Sequence, residues 1–215
     1  MLLELQLDKQ ELLTINYFKE IALGFEMGNA SNITRKWNAP MKIFLDGIPS
    51  SSLINKVEQT VSDINELATD GFLIEIVNKP DLANCYMFFG SASEFIEKFP
   101  DAEGQIRSNF ALFNVCWDDN NIINKGRIFI DINRPNLTQQ KSLILEEITQ
   151  TLGLGKDSPR YLYSIFYETF SNGGFATEYS IIDKELIRLL YHPDMKVGLG
   201  INEVDELLRN ILINE

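Results

Sequence analysis

The stretch SLILEEITQTLGLGKDS, Ser142 to Ser158, decides how the chain reads. At about 100° per residue, Ile144, Leu145, Ile148 and Leu152 fall within about 100° of one another, a stripe that a core would bury. Leu143, Glu146, Glu147 and Gln150 gather on the opposite side. The segment from about Thr138 to Leu152 is therefore expected to be an amphipathic helix. Its polar face carries two adjacent carboxylates and an amide. The ordinary fate of such a face is to be solvated.

Working outward, Lys9 to Phe25 has apolar residues at helical spacing (Leu12, Leu13, Tyr17, Ile21, Leu23). A polar loop, EMGNASNITRKWNAP, leads into the strand MKIFLDG. SSSLINKVEQTVSDINELATDG reads as a helix capped by Ser50, Ser51 or Ser52 and ended by Gly71, with Leu53, Val57, Val61, Ile64 and Leu67 on one face. FLIEIVN and ANCYMFFG are strands joined by a turn at Lys79-Pro80-Asp81, and SASEFIEKF is a short helix stopped by Pro100. NFALFNVCWDD and GRIFIDIN are strands around the turn-like DNNIINKG. Past the central helix come a loop, a helix over Ile181–Leu190, a glycine link and a last helix from Asn202. This order predicts an α+β fold, a mixed sheet with a crossover helix and helices packed on it. One domain is expected over residues 1–215, with a sheet half to about 152 and a helical half from about 153.

Composition excludes several functions. Acidic residues outnumber basic ones 31 to 19, for a net charge of −12, and the basic residues are scattered. Phosphate backbones and anionic membrane surfaces need clustered Lys and Arg, so no nucleic-acid partner is expected. No apolar run is long enough to span a bilayer. Glu4 and Asp8 come too early for a secretory leader's apolar stretch. Export with a removed leader is nonetheless expected ahead of a cytoplasmic location. The single histidine, His192, rules out a three-histidine metal site within one chain. Cys85 and Cys116 both lie in strand-like segments, and two buried thiols are expected.

The order of several motifs resembles the metzincin class of zinc proteases. There the pattern H-E-x-x-H-x-x-G-x-x-H puts two histidines on one helical face, with a glutamate to polarise water and a glycine for the turn to a third ligand. The corresponding positions here are Glu146, Glu147, Gln150, Gly153 and Lys156. The glutamate and the glycine match; all three ligand positions differ. YSIFYETF is similar to the Met-turn of that class, with Phe166 in place of the methionine and Ser164 and Tyr167 as further cleft candidates. YSIIDKELIRLLYHP resembles the helix that follows in matrixin-like members. NITRKWNAPMKIFLDG and EEITQTLGLGKDS resemble still more closely a bacterial family of unknown function whose members share the Glu-Glu-x-x-Gln helix.

The resemblance implies a zincin-like fold with an antiparallel edge strand, no metal and no cofactor. Gln150 is a poor zinc ligand and Lys156 repels a cation. Lys156 is expected to pair with Glu146 or Glu147 in place of the metal's charge, with neighbouring Asp157 competing for the same amine. The implied role is an inactive protease-like module that binds a protein or peptide. Two alternatives stand beside it. One is a hydrolase with Glu147 as general base, helped by Lys156 or a non-standard metal; the other is an exported structural protein.

Other residues have simpler readings. Ser180 and Asp183 form an S-x-x-D capping box. His192 closes its helix, and SNGGF and GLG are turns rather than phosphate cradles. Asn29, Asn32 and Asn136 head glycosylation sequons. Trp37, Tyr161, Tyr163 and Tyr167 are aromatic candidates for packing or for a groove.

Overall fold

Asp8 opens the first helix, α1 (Lys9–Ala22), in the computed structural model, which describes residues 7–26, 28–168 and 176–215. Its side chain accepts from the Glu11 amide while the Glu11 carboxylate accepts from the Asp8 amide. This reciprocal cap satisfies two donors that a helix start leaves open. Ile15, Phe18 and Ile21 recur on the buried face. Helix α2 (Ser51–Leu67) begins after Ser50, whose side chain makes no capping bond. It ends before Ala68 rather than at Gly71, which takes φ +92° in the turn beyond.

The sheet contains β1 (Lys36–Trp37), β2 (Met41–Gly47), β3 (Ile74–Val77), β4 (Cys85–Gly90), β5 (Ala111–Trp117) and β6 (Ile122–Asp131). Its order is β3-β2-β4-β6-β5, with β1 alongside the start of β6. Every pairing is parallel except that of β5, which runs antiparallel to β6 at the edge. Parallel neighbours need crossovers, and α2 supplies the one from β2 to β3. The strands expected on either side of Lys79-Pro80-Asp81 do not pair with each other; both flank β2. The turn between β5 and β6 is shorter than the sequence suggested. Asp118 Oδ1 accepts from the amides of Asn120 and Ile122, and Asn121 takes φ +65°, so strand resumes at Ile122.

Mostly parallel sheets are covered on both faces, and this one is. Met41, Ile43, Met87, Phe89, Ile128 and Ile130 face the main core beneath α2 and α5 (Leu137–Gln150). Phe88, Leu112 and Phe129 face a smaller cluster closed by Phe95 of α3 (Ala92–Lys98) and Ile106 of α4 (Glu103–Ile106). Helices α6 (Ile181–Leu190) and α7 (Ile201–Ile213) pack against α1, so the main core runs from Ile15 to Ile211. The mixed sheet with an antiparallel edge strand, the crossover helix and the helices packed on the sheet match the expected α+β architecture.

The cysteines differ from expectation. Cys85 is buried, which pushes its thiol up to about 12, but Cys116 is exposed. They lie on β4 and β5 with β6 between them, about 10 Å apart at strand spacing, beyond disulfide reach. No helix among the described residues is long and apolar enough to cross a membrane. The turn expected at SNGGF (171–175) lies outside the described residues. In the GLG link Gly200 precedes α7, and its amide donates to the Glu203 carboxylate (2.8 Å); this is a helix cap.

Candidate ligand cleft

Asn136 caps α5 through a reciprocal pair of bonds with Gln139, which fixes where the helix starts beneath the sheet edge. The stripe Ile144, Leu145, Ile148 and Leu152 is fully buried, as its spacing predicts. The opposite face is not solvated. Leu143, Glu147 and Gln150 are buried too, and with Glu146 they floor a cleft of about 530 Å³ between α5 and β5. Phe113 and Trp117 of β5 wall it, together with Phe25 and Tyr167.

The turn that ends α5 decides what reaches this cleft. Trp37 Nε1 donates to the Thr151 carbonyl (2.8 Å) and the Tyr191 hydroxyl to the Leu152 carbonyl (3.0 Å). Gly153 follows at φ +116°, and a Cβ there would lie 1.9 Å from the Arg35 carbonyl oxygen. Glycine is therefore required twice over, by the dihedral and by the approach. Gly155 then bridges to Phe25. Beyond it, neighbouring residues face opposite ways, as in any extended segment. Asp157 lines the cleft and accepts from Gln150 Nε2 (2.8 Å). Lys156 points away, its amine donating to Asn32 Oδ1 (3.1 Å). The ion pair expected between Lys156 and a glutamate of α5 does not form.

Downstream, the Ser158 amide donates to the Phe166 carbonyl (2.8 Å) and the Glu168 amide to the Ser158 carbonyl (3.2 Å), returning Tyr167 to the cleft wall. Ser164 and Phe166 are buried and do not line it. Ser164 Oγ bonds Asp183 Oδ1 (2.6 Å) and the Tyr17 hydroxyl (2.8 Å). Asp183 also accepts from the Ser180 amide and hydroxyl, so it is both capping-box partner and anchor of the Ser164 turn. Trp37 belongs to the core. Tyr161 and Tyr163 line a separate, more apolar groove, along with Leu162 and Ile181.

The cleft is a field of one sign. Burial pushes the Glu147 carboxyl well above the usual range, and neighbouring Glu146, Asp157 and Glu26 push it further. Glu146 moves the same way for the same reasons, burial first and then Asp157 and Glu26. Asp157 rises to about 7 through burial and the charges of Glu26 and Glu168, against the lowering hydrogen bond from Gln150. Glu147 Oε2 is buried with no hydrogen-bond partner. An unpartnered buried carboxylate oxygen is costly, and its residue lines the cavity.

The donor set does not fit zinc. Of the three positions that hold the metal in metzincins, Glu146 offers a carboxylate, Gln150 an amide tied to Asp157, and Lys156 a cation turned outward. Among the described residues no group of three or more His, Cys, Asp or Glu is arranged to hold a metal ion. Glu26 has no signal in the sequence, and Asp157 enters there only as a competitor for the Lys156 amine. The alternation after Gly155 was a signal for Asp157. Glu26 reaches the cleft only through the pairing of Phe25 with Gly155, which no local pattern announces.

Fold and site together define an α+β domain with a mostly parallel sheet, an antiparallel edge strand and an acidic cleft above its central helix. The chain belongs to the DUF2927 family, described as a protein of unknown function, whose profile matches residues 13–210. No curated protein matches it. Among solved structures it is similar to two of myroilysin. One is 12% identical with a TM-score of 0.45, covering 74% of this chain and 97% of that one. The other is 12% identical with a TM-score of 0.46, covering 73% and 86%. A third is high choriolytic enzyme 1, a hatching-enzyme zinc protease from the medaka Oryzias latipes, 14% identical with a TM-score of 0.32, covering 83% and 94%.

Proposed function

We propose that this domain is a binding module that keeps a zincin-like cleft without zinc chemistry, and that the cleft takes an extended peptide along β5. One observation carries the reading: the three positions that would converge on a metal diverge. Gln150 is committed to Asp157 and Lys156 to Asn32, leaving Glu146 without co-ligands. The cleft itself is fully formed, and among the described residues β5 pairs only with β6, so its outer edge is free. A peptide strand laid on such an edge gains backbone hydrogen bonds, while side-chain pockets supply selectivity. The test is metal content after dialysis against zinc, paired with a peptide-cleavage panel. The expected result is far less than stoichiometric zinc and no cleavage. Stoichiometric zinc, with cleavage abolished in Glu147→Gln, overturns the proposal.

A second reading, a hydrolase with Glu147 as general base, is favoured by the upward shift that burial and its acidic neighbours give its carboxyl within a cleft. Against it, Lys156 is turned outward, and among the described residues no cation lines the cleft to stabilise developing negative charge. Slow metal-independent hydrolysis, lost in Glu147→Gln, is the result that would favour this reading.

A further inference from the structure

The cleft combines three features that none of the foregoing assignments uses together. First, among the described residues its charged lining is all acidic: Glu26, Glu146, Glu147 and Asp157. The remaining polar groups contributed by β5 and by the segment before it, Asn114, Gln105 and Asn109, are uncharged. The nearest basic groups are engaged elsewhere. Lys156 bonds Asn32, and the Arg35 guanidinium lies 4.4 Å from the centroid of Trp117 with Nη1 and Nη2 on Ser31 and, among the described residues, no partner for its buried Nε. Second, Glu147 is only 6% exposed, and its Oε2 has no partner among the described residues. Third, the walls are aromatic: Phe25, Phe113, Trp117 and Tyr167.

A metal does not suit this set, because the carboxylates are not grouped to surround one ion. An organic cation does. Its N–H groups supply donors to a carboxylate oxygen that lacks them, and its delocalised charge rests well against aromatic faces. A guanidinium matches better than an ammonium, because it is planar, weakly hydrated and can bond two carboxylate oxygens at once. We infer that the pocket receives an arginine side chain of an extended peptide, its guanidinium donating to Glu147 and flanked by Glu146 and Asp157. This rests on the binding-module reading above and names the ligand's chemistry. The bound cation would draw protons off carboxyls that burial and mutual repulsion hold up, with Glu26, Glu168 and the Tyr167 phenol the other titratable groups nearby. Binding should therefore release protons and strengthen as pH rises through about 7, where Asp157 titrates.

The probe is a fluorescently labelled, end-blocked peptide library with a central arginine and two randomised residues on each side. It is compared with the same library carrying citrulline, which keeps the shape and loses the charge. By anisotropy the arginine library is expected to bind at least about tenfold more tightly. Glu147→Gln should erase that difference, and so should Asp157→Asn as an independent variant. Glu58→Gln, an exposed position on α2, should preserve it and so controls for attraction to an acidic protein. Equal binding of the two libraries overturns the arginine inference and leaves the peptide-binding reading standing. No binding of either library to the folded protein overturns both. A preference that survives Glu147→Gln and Asp157→Asn alike also overturns the assignment, placing the cation elsewhere.

Discussion

Two buried carboxylates some 36 residues apart in sequence, Glu147 and Asp183, have opposite surroundings. Asp183 is 0% exposed and accepts from Ser164, Ser180 and the Ile165 amide. Burial raises its carboxyl and those hydrogen bonds pull it back. Glu147 is 6% exposed, has an oxygen with no partner, and is pushed further up by Glu146, Asp157 and Glu26 with nothing to offset them. The first arrangement holds structure together, tying α6 to the Ser164 turn and to Tyr17 on α1. The second costs stability, and a costly unsatisfied group beside a cavity is a mark of a site that awaits a ligand.

The largest effect should come from breaking the satisfied side. Asp183→Ala removes a cap and the acceptor of the Ser164 turn, and is expected to cost about 3 kcal/mol. Urea unfolding with an unchanged m-value would register it. Gly153→Ala comes next, at about 2 kcal/mol, because alanine resists φ +116° and its methyl would strike the Arg35 carbonyl. It should also shift Asp157 away from Gln150, visible as loss of that amide's hydrogen-bonded chemical shift.

The unsatisfied side should respond with the opposite sign. Glu147→Gln is expected to stabilise the protein by about 1 kcal/mol at pH 8, since it removes a buried charge held among like charges. Carboxyls raised in the folded state bind more protons there than in the unfolded chain. The contribution of these carboxyls to stability is therefore fullest near pH 4 and is lost as pH rises through the value of about 7 for Asp157. Thermal melts across that window should show the decline, and a shallower one in Asp157→Asn. The smallest effect separates two helix starts. Ser180→Ala should cost about 1 kcal/mol, whereas Ser50→Ala, whose side chain makes no capping bond, should be near neutral.

The legible parts of the molecule were those set by local pattern. Strand β2 and helix α6 fall where the sequence placed them, because an apolar run bounded by glycine and proline, and a capping box followed by helical periodicity, are complete within a few residues. The buried stripe of α5 was legible for the same reason. Its other face was not: a wheel sorts residues by side but cannot say that β5 covers the polar one. The role of Gly153 followed from its place in the motif, yet its consequence for Lys156 and Asp157 depended on the bridge from Gly155 to Phe25, a contact across more than a hundred residues. Ser164 and Phe166 were candidates for the cleft on resemblance; the turn they share is folded inward onto Asp183 and the core.

The claim that most depends on this contrast is that Glu147 lies unpaired among like charges. Its side-chain carboxyl carbon can be followed by NMR from pH 4 to pH 9. The midpoint is expected far above the ordinary glutamate value of about 4.3, falling when the arginine peptide library is added to saturation. A midpoint near the ordinary value in the free protein would contradict it.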